Sequence, residues 1–322
     1  MFRKVNNKIL LAVFAILAVI AVIVLIREQK KGERTFRSEL FSIDSAAVTT
    51  VTIYPKGKAT GELRLEKTGT GWEVASGQKR YPADSGSVHN LLQSLAHVMP
   101  ERIAGTDRSS WAEFEITDSL STHVVVEEGK KITADFRTGK ISFSQRSKTQ
   151  SYGNRNMDVK SRIRVAGDDR VYVVDGFLSM MFADSPSRYR NRVLFRAEKE
   201  QVTRLTFTYP GDSSFILFWQ GGRWMAGDRP ADSLSTAKYL NSIASTMGSE
   251  FAEDDAVLPA FDFILKIEGN NMPSVDVYGA ASAETKKYYL KSNMNPSSVF
   301  VSSTPDLFNR IFAGKRKFLG NQ

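Results

Sequence analysis

The side chains with catalytic or ligating potential are few in kind. The 322 residues include three histidines, His89, His97 and His123, and no cysteine. Without cysteine the chain has no disulfide, thiolate zinc site, iron–sulfur cluster or cysteine nucleophile. His89 and His97 are spaced to share one face of a predicted helix, about two turns apart. No carboxylate stands at ligand spacing from either, so no metal site is expected. Glu253, Asp254 and Asp255 form an acidic run that reads as a solvated linker, because general acid–base work needs a partner group brought in by the fold. Asp168 and Asp169, ahead of Arg170, read as a polar hairpin turn. No Gly-x-Ser-x-Gly elbow and no P-loop occurs, and Gly69-Thr70-Gly71 reads as a turn into a strand. The expected sets of catalytic, cofactor-binding and metal-binding residues are therefore empty.

Contact chemistry is better represented. Arg188, Arg190, Arg192 and Arg196 form a basic stretch that is a candidate interface. Trp111 and Trp219, if exposed, suit a protein or glycan contact. The formal charge of +9 raises nucleic acid as a partner, but its distribution argues against one. Residues 1–37 carry a net +6, the tail from Arg310 adds four basic residues, and the body between them comes to −1. A near-neutral body lacks the dense cationic face that a phosphate backbone requires.

The N-terminal charge brackets an apolar run. Residues 9–26 read ILLAVFAILAVIAVIVLI, from Ile9 to Ile26, with no polar or helix-breaking residue. A helix of this length spans about 27 Å, close to the hydrocarbon thickness of a bilayer. Arg3, Lys4 and Lys8 precede it, and Arg27, Lys30 and Lys31 follow. The run exceeds a signal-peptide core and leads into no small-residue cleavage site. The expectation is an uncleaved, single-pass anchor in a bacterial inner membrane, with the C-terminal body on the periplasmic side.

Behind the anchor the sequence contains itself twice. PADSGSVHNLLQSLA, residues 82–96, and PADSLSTAKYLNSIA, residues 230–244, agree at eight of fifteen positions. Upstream, VTTVTIYP from Val48 matches VTRLTFTYP from Val202. Between these pairs lie GTGWEV, with Trp72, and GGRWMA, with Trp224. Asp84 and Asp232 fall where a helix N-cap is expected. Val88, Leu91, Leu92, Leu95 and Met99 then form one apolar stripe, and Leu240, Ile243, Ala244 and Met247 form the other. Alternating apolar residues such as Val51, Ile53, Leu63 and Leu65 predict half-buried antiparallel strands. The fold class expected is α+β, an N-terminal membrane helix followed by two related, mostly antiparallel sheet-plus-helix units. The bounds are a tail at 1–8, the anchor at 9–26, a juxtamembrane linker at 27–43, units at 44–197 and 198–316, and a tail at 317–322. The polar segment 145–165, much longer than its counterpart, reads as a mobile loop or an extended hairpin.

The Trp-bearing strand, the Pro-Ala-Asp helix, WAEFEITD from Trp111 to Asp118, VYVV, and YRNRVLF from Tyr189 to Phe195 resemble the bacterial family called domain of unknown function 4340. The resemblance covers nearly all of the chain behind the anchor. It implies an accessory subunit of gliding-motility-type ABC transporters, with one membrane helix and an exported body, and it supplies no catalytic residues. The usual Gly-Leu after the aromatic-rich turn is Glu115-Ile116 here. The function expected is a non-enzymatic accessory or scaffold subunit partnered by an ABC permease or another envelope protein. The alternatives are a ligand-binding module using a groove between the units and, behind it, an envelope hydrolase.

Overall fold

A computed structural model describes residues 37–57, 61–145 and 157–319. The expected anchor at 9–26, with the tail before it and residues 27–36 of the linker, lies outside the described residues. Among the described residues no helix is long and apolar enough to cross a membrane.

The first copy of the repeat supplies β1 (Phe41–Ser42), β2 (Thr50–Tyr54), β3 (Leu63–Thr68), β4 (Gly71–Ser76), β5 (Lys79–Pro82), α1 (Ser85–Leu95), β6 (His97–Val98), β7 (Pro100–Gly105), β8 (Thr122–Glu128), β9 (Lys131–Gln145), β10 (Met157–Val165), β11 (Val171–Asp175) and α2 (Leu178–Met181). The second supplies β12 (Val193–Arg196), β13 (Val202–Thr208), β14 (Phe215–Gln220), β15 (Arg223–Ala226), β16 (Arg229–Pro230), α3 (Ser233–Ile243), β17 (Ser245–Met247), β18 (Glu250–Phe251), β19 (Phe263–Gly269), β20 (Val275–Ser282), β21 (Lys287–Ser292), β22 (Val299–Ser302) and α4 (Asp306–Ile311).

The two copies match strand for strand. One nine-stranded sheet has the order β5-β4-β3-β2-β8-β9-β10-β11-β7, and the other has β16-β15-β14-β13-β19-β20-β21-β22-β18. Each copy adds a two-stranded ribbon, β1 with β6 and β12 with β17. Pairing is antiparallel throughout the central strands of both sheets. The expected α+β mixture therefore shifts toward β: strands dominate, and each copy keeps one 11-residue helix and one short closing helix. The described residues form two compact units, one from 37–67 with 89–184 and the other from 68–88 with 185–319.

The repeat markers have the same local roles in both copies. Asp84 Oδ1 accepts from Ser87 N and Asp232 Oδ1 from Ser235 N, each at 2.7 Å, satisfying free N–H groups at the helix starts. The carbonyls of Trp72 and Trp224 accept from Ala83 and Ala231 at 2.8 and 2.9 Å. Both indoles are half-buried. Val88, Leu91, Leu92 and Leu95 of α1 are buried, as are Tyr239, Leu240 and Ile243 of α3. Met99 and Met247 do not join these stripes, being 58% and 43% exposed. Both helices end earlier than the apolar stripe predicts, because the following residues pair as β6 and β17 and take up extended backbone. The same change separates His97 from His89, since His97 lies on β6 rather than on the helix.

In the first unit Phe136 stacks on Phe41 and meets Phe182 edge-on, with ring centroids 4.7 and 5.8 Å apart. In the second, Phe207 stacks on Phe215 at 4.3 Å, and Tyr239 and Phe318 close the cluster. The buried Tyr239 hydroxyl donates to Ile311 O at 2.6 Å, so its burial leaves no orphan donor. The polar segment after Ser144 is an extended hairpin where it is described: β9 and β10 stay paired out to Gln145 opposite Met157.

Candidate functional site

The face of the first sheet that turns away from Ile53, Val124 and Phe136 carries the chemistry. Side chains alternate along a strand, so the residues beside these core positions share the other face. Cross-strand register aligns them in one row: Tyr54 is opposite His123, His123 opposite Arg137, and Arg137 opposite Arg164. The Tyr54 and His123 rings stack at 5.2 Å with an interplanar angle of 18°. His123 Nε2 donates to Asp135 Oδ1 at 2.8 Å, two positions along β9 from Arg137. Arg137 Nε pairs with Asp118 Oδ1 at 3.1 Å, and Arg164 reaches the same oxygen at 3.6 Å. Asp118 is 80% exposed, so its carboxylate reaches both guanidiniums from the solvent side.

A pocket of about 510 Å³ opens at this row, lined by Tyr54, Pro55, Gly57, Asp118, Ser119, Ser121, His123 and Arg137. Burial raises the Tyr54 phenol above its ordinary value, and the Glu62 carboxylate adds to the rise. Burial also lowers the Arg164 guanidinium, with the Arg137 charge acting in the same direction. The buried Ser121 hydroxyl donates to Thr117 O at 2.6 Å, which commits its proton to a backbone carbonyl. The lining is suited to binding, with an aromatic ring, an imidazole, hydroxyls and one charge of each sign.

One wall is positioned by residues 107–121. Asp107 starts this segment by accepting from Ser109 N at 2.9 Å. Trp111 Nε1 donates to Asp169 O at 2.8 Å, and the Arg164 guanidinium lies 3.8 Å from the Trp111 ring centroid. Lys140 N donates to Phe114 O at 2.9 Å, pinning the next turn to β9. Contact there is so close that a Cβ on Gly139 would stand 2.3 Å from Glu115 O and 2.5 Å from Phe114 O. Glu115 itself has φ +54, the left-handed region that favours glycine. The departure from the usual Gly-Leu thus falls on a residue whose backbone calls for Gly.

Asp168 was not legible as more than a turn residue. It is buried, accepts from Tyr172 Oη at 2.7 Å, and holds Arg170 through bonds of 2.9 and 2.7 Å. Those bonds, Arg170 first, hold its carboxyl far below the usual carboxylate range.

The expected interface residues differ in exposure. Arg188 and Arg196 are exposed, Arg192 is half-buried and Arg190 is 6% exposed. The Arg190 guanidinium lies between the rings of Tyr81 and Phe251, 3.7 Å from each centroid. It is a packed cation–π core of the second unit. Trp111 is half-buried in the wall described above, while Trp219 is 50% exposed and meets Trp224 edge-on at 5.9 Å. In the acidic run, Asp254 pairs with Lys79 Nζ at 2.6 Å and accepts from the Tyr81 hydroxyl. Among the described residues no group of three or more His, Asp or Glu is placed to hold a metal ion.

The model of the family described as Domain of unknown function (DUF4340) matches residues 72–262. The chain belongs to this family. The match begins at the Trp72 marker and takes in the Trp111 to Asp118 wall, Arg137, Arg164 and the second Pro-Ala-Asp helix, while Tyr54 lies upstream of it. No curated protein and no solved structure matches this DUF4340 chain.

Proposed function

We propose that this DUF4340 protein is a non-enzymatic accessory or scaffold subunit of an ABC-transporter complex. In this reading residues 9–26 anchor it in the bacterial inner membrane and its body stands in the periplasm. One difference in hairpin length between the two copies carries the reading. Thr138 and Gly279 hold equivalent places, opposite Thr122 and Phe263. From there β9 continues to Gln145, whereas β20 stops at Ser282. Allowing for the bulge opposite Arg162, the first hairpin thus projects about 10 Å further at the usual rise per residue. Beyond a bulge at Gly139 and Lys140 the added length is paired from Ile141 to Gln145, and it carries Phe143, 50% exposed. A stiff, hydrogen-bonded projection bearing an exposed aromatic residue suits an anchor on a protein partner.

Purification of the tagged full chain from native membranes in mild detergent tests this. The expected result is recovery of permease or ATPase subunits, lost when the hairpin is shortened to the length of its counterpart. Recovery of the tagged chain alone would contradict the proposal. A second reading, an envelope ligand-binding module, draws on the pocket beside Tyr54.

A further inference from the structure

The duplication provides an internal control for the row of side chains at the pocket. Residues that the fold requires keep their character in both copies. Ile53 and Phe207 are buried apolar equivalents, as are Val124 and Leu265, and Phe136 and Val277. The outward row behaves differently. Register places Thr208 opposite Ile264, Ile264 opposite Tyr278, and Tyr278 opposite Lys291. Tyr54, His123, Arg137 and Arg164 therefore correspond to Thr208, Ile264, Tyr278 and Lys291. The same backbone is built without the ring pair, the imidazole–carboxylate bond or the shared carboxylate. The fold does not need those groups in the first copy.

Their chemistry selects a ligand class. Tyr54 is 40% exposed at the pocket and is backed by the His123 ring. Such an aromatic surface suits a ring with apolar C–H edges. Around it stand donors from Arg137, an acceptor carboxylate on Asp118, and the Ser119 hydroxyl, which both donates and accepts. The charged lining residues are one of each sign, so an anion meets Asp118 and a cation meets Arg137. A hydroxyl-bearing ring satisfies both, because each hydroxyl gives one bond and takes another. The volume of about 510 Å³ lies within the range of small-molecule sites.

We propose that this pocket of the first unit binds a neutral saccharide ring of an envelope glycan, with the ring on Tyr54 and its hydroxyls shared between Arg137 and Asp118. The proposal rests on the ligand-binding reading and does not depend on the ABC-transporter assignment.

The test uses the full chain in detergent, titrated by calorimetry with chitotetraose, cellotetraose, maltotetraose and, as the charged arm, glucuronate. At least one neutral tetrasaccharide binds saturably, with a dissociation constant in the range of about 1 mM or tighter. Tyr54→Ala and Arg137→Gln each weaken that binding by about tenfold or more, the scale of a lost aromatic contact or charge-assisted bond. Lys291→Gln, at the matching position of the second copy, leaves it unchanged. Melting curves identify any variant that fails to fold; Asp118→Asn, on an exposed side chain, then replaces it and shows the same loss. Absence of saturable binding for all three neutral sugars overturns the proposal. So does binding that Tyr54→Ala leaves intact, equal loss in Lys291→Gln, or tighter binding of glucuronate than of the neutral sugars. Failure of the membrane purification leaves this result unaffected, so the two readings fail separately.

Discussion

Replacing Glu115 by glycine should stabilise the first unit. An L-residue in the left-handed region pays roughly 1–2 kcal/mol relative to its right-handed alternative, and Glu115 sits there at φ +54. Glycine removes that penalty but adds about 0.5–1 kcal/mol of unfolded-state entropy. The substitution also deletes the 3.5 Å pair between Glu115 and Lys56, whose side chains are 42% and 64% exposed, and such a pair contributes only about 0–1 kcal/mol. At mid-range values the balance is a gain of about 0.25 kcal/mol, or roughly 0.5–1 °C in midpoint for a unit of this size, and about 0.75 kcal/mol relative to Glu115→Ala, which also lacks the pair. Differential scanning calorimetry of the purified full chain, with Glu115→Ala alongside, makes the measurement. The alanine variant loses the ion pair and keeps the strain, so it melts at or slightly below the parent. If Glu115→Gly melts lower than Glu115→Ala, the turn does not carry the strain attributed to it.

The other expectations concern neighbouring contacts. Gly139→Ala drives a Cβ into the Phe114 and Glu115 carbonyls and should cost about 2–4 kcal/mol from overpacking and the lost Lys140 bond, read by denaturant titration. Asp168→Asn should cost about 2 kcal/mol at neutral pH through its bonds to Arg170 and Tyr172. The folded Asp168 carboxyl is held below its unfolded value, so its stabilisation is full above about pH 4 and is lost as pH falls through the lower folded value. The gap between wild type and Asp168→Asn should therefore be constant from neutral pH down to about pH 4 and close below it. Tyr239→Phe leaves the Ile311 carbonyl without its buried donor and should cost about 1–2 kcal/mol by the same titration.

The duplicated body was legible because its markers are local. Pro-Ala-Asp announces a helix start through one cap residue, and alternation in Val51, Ile53, Leu63 and Leu65 announces strands. Helix ends were misplaced where the apolar stripe ran on through Met99 and Met247 into extended chain. The Tyr54, His123, Arg137 and Arg164 row was not legible. Its members lie on four strands, and bulges between Val126 and Glu127 and between Ser161 and Ile163 shift the register that aligns them. Arg190 shows the converse failure. In sequence it matches Arg188 and Arg192, and only the Tyr81 and Phe251 rings, supplied from distant positions, make it a core residue.

In the proposed function the long first hairpin is the contact point for an envelope partner. A photo-crosslinking amino acid placed at position 143 in the full chain and activated in living cells identifies what the hairpin touches. The expected result is a crosslink to a permease or other transporter subunit, absent when the same group is placed at Ser282 on the short counterpart. A crosslink confined to a second copy of this chain, or equal labelling from both positions, would contradict it.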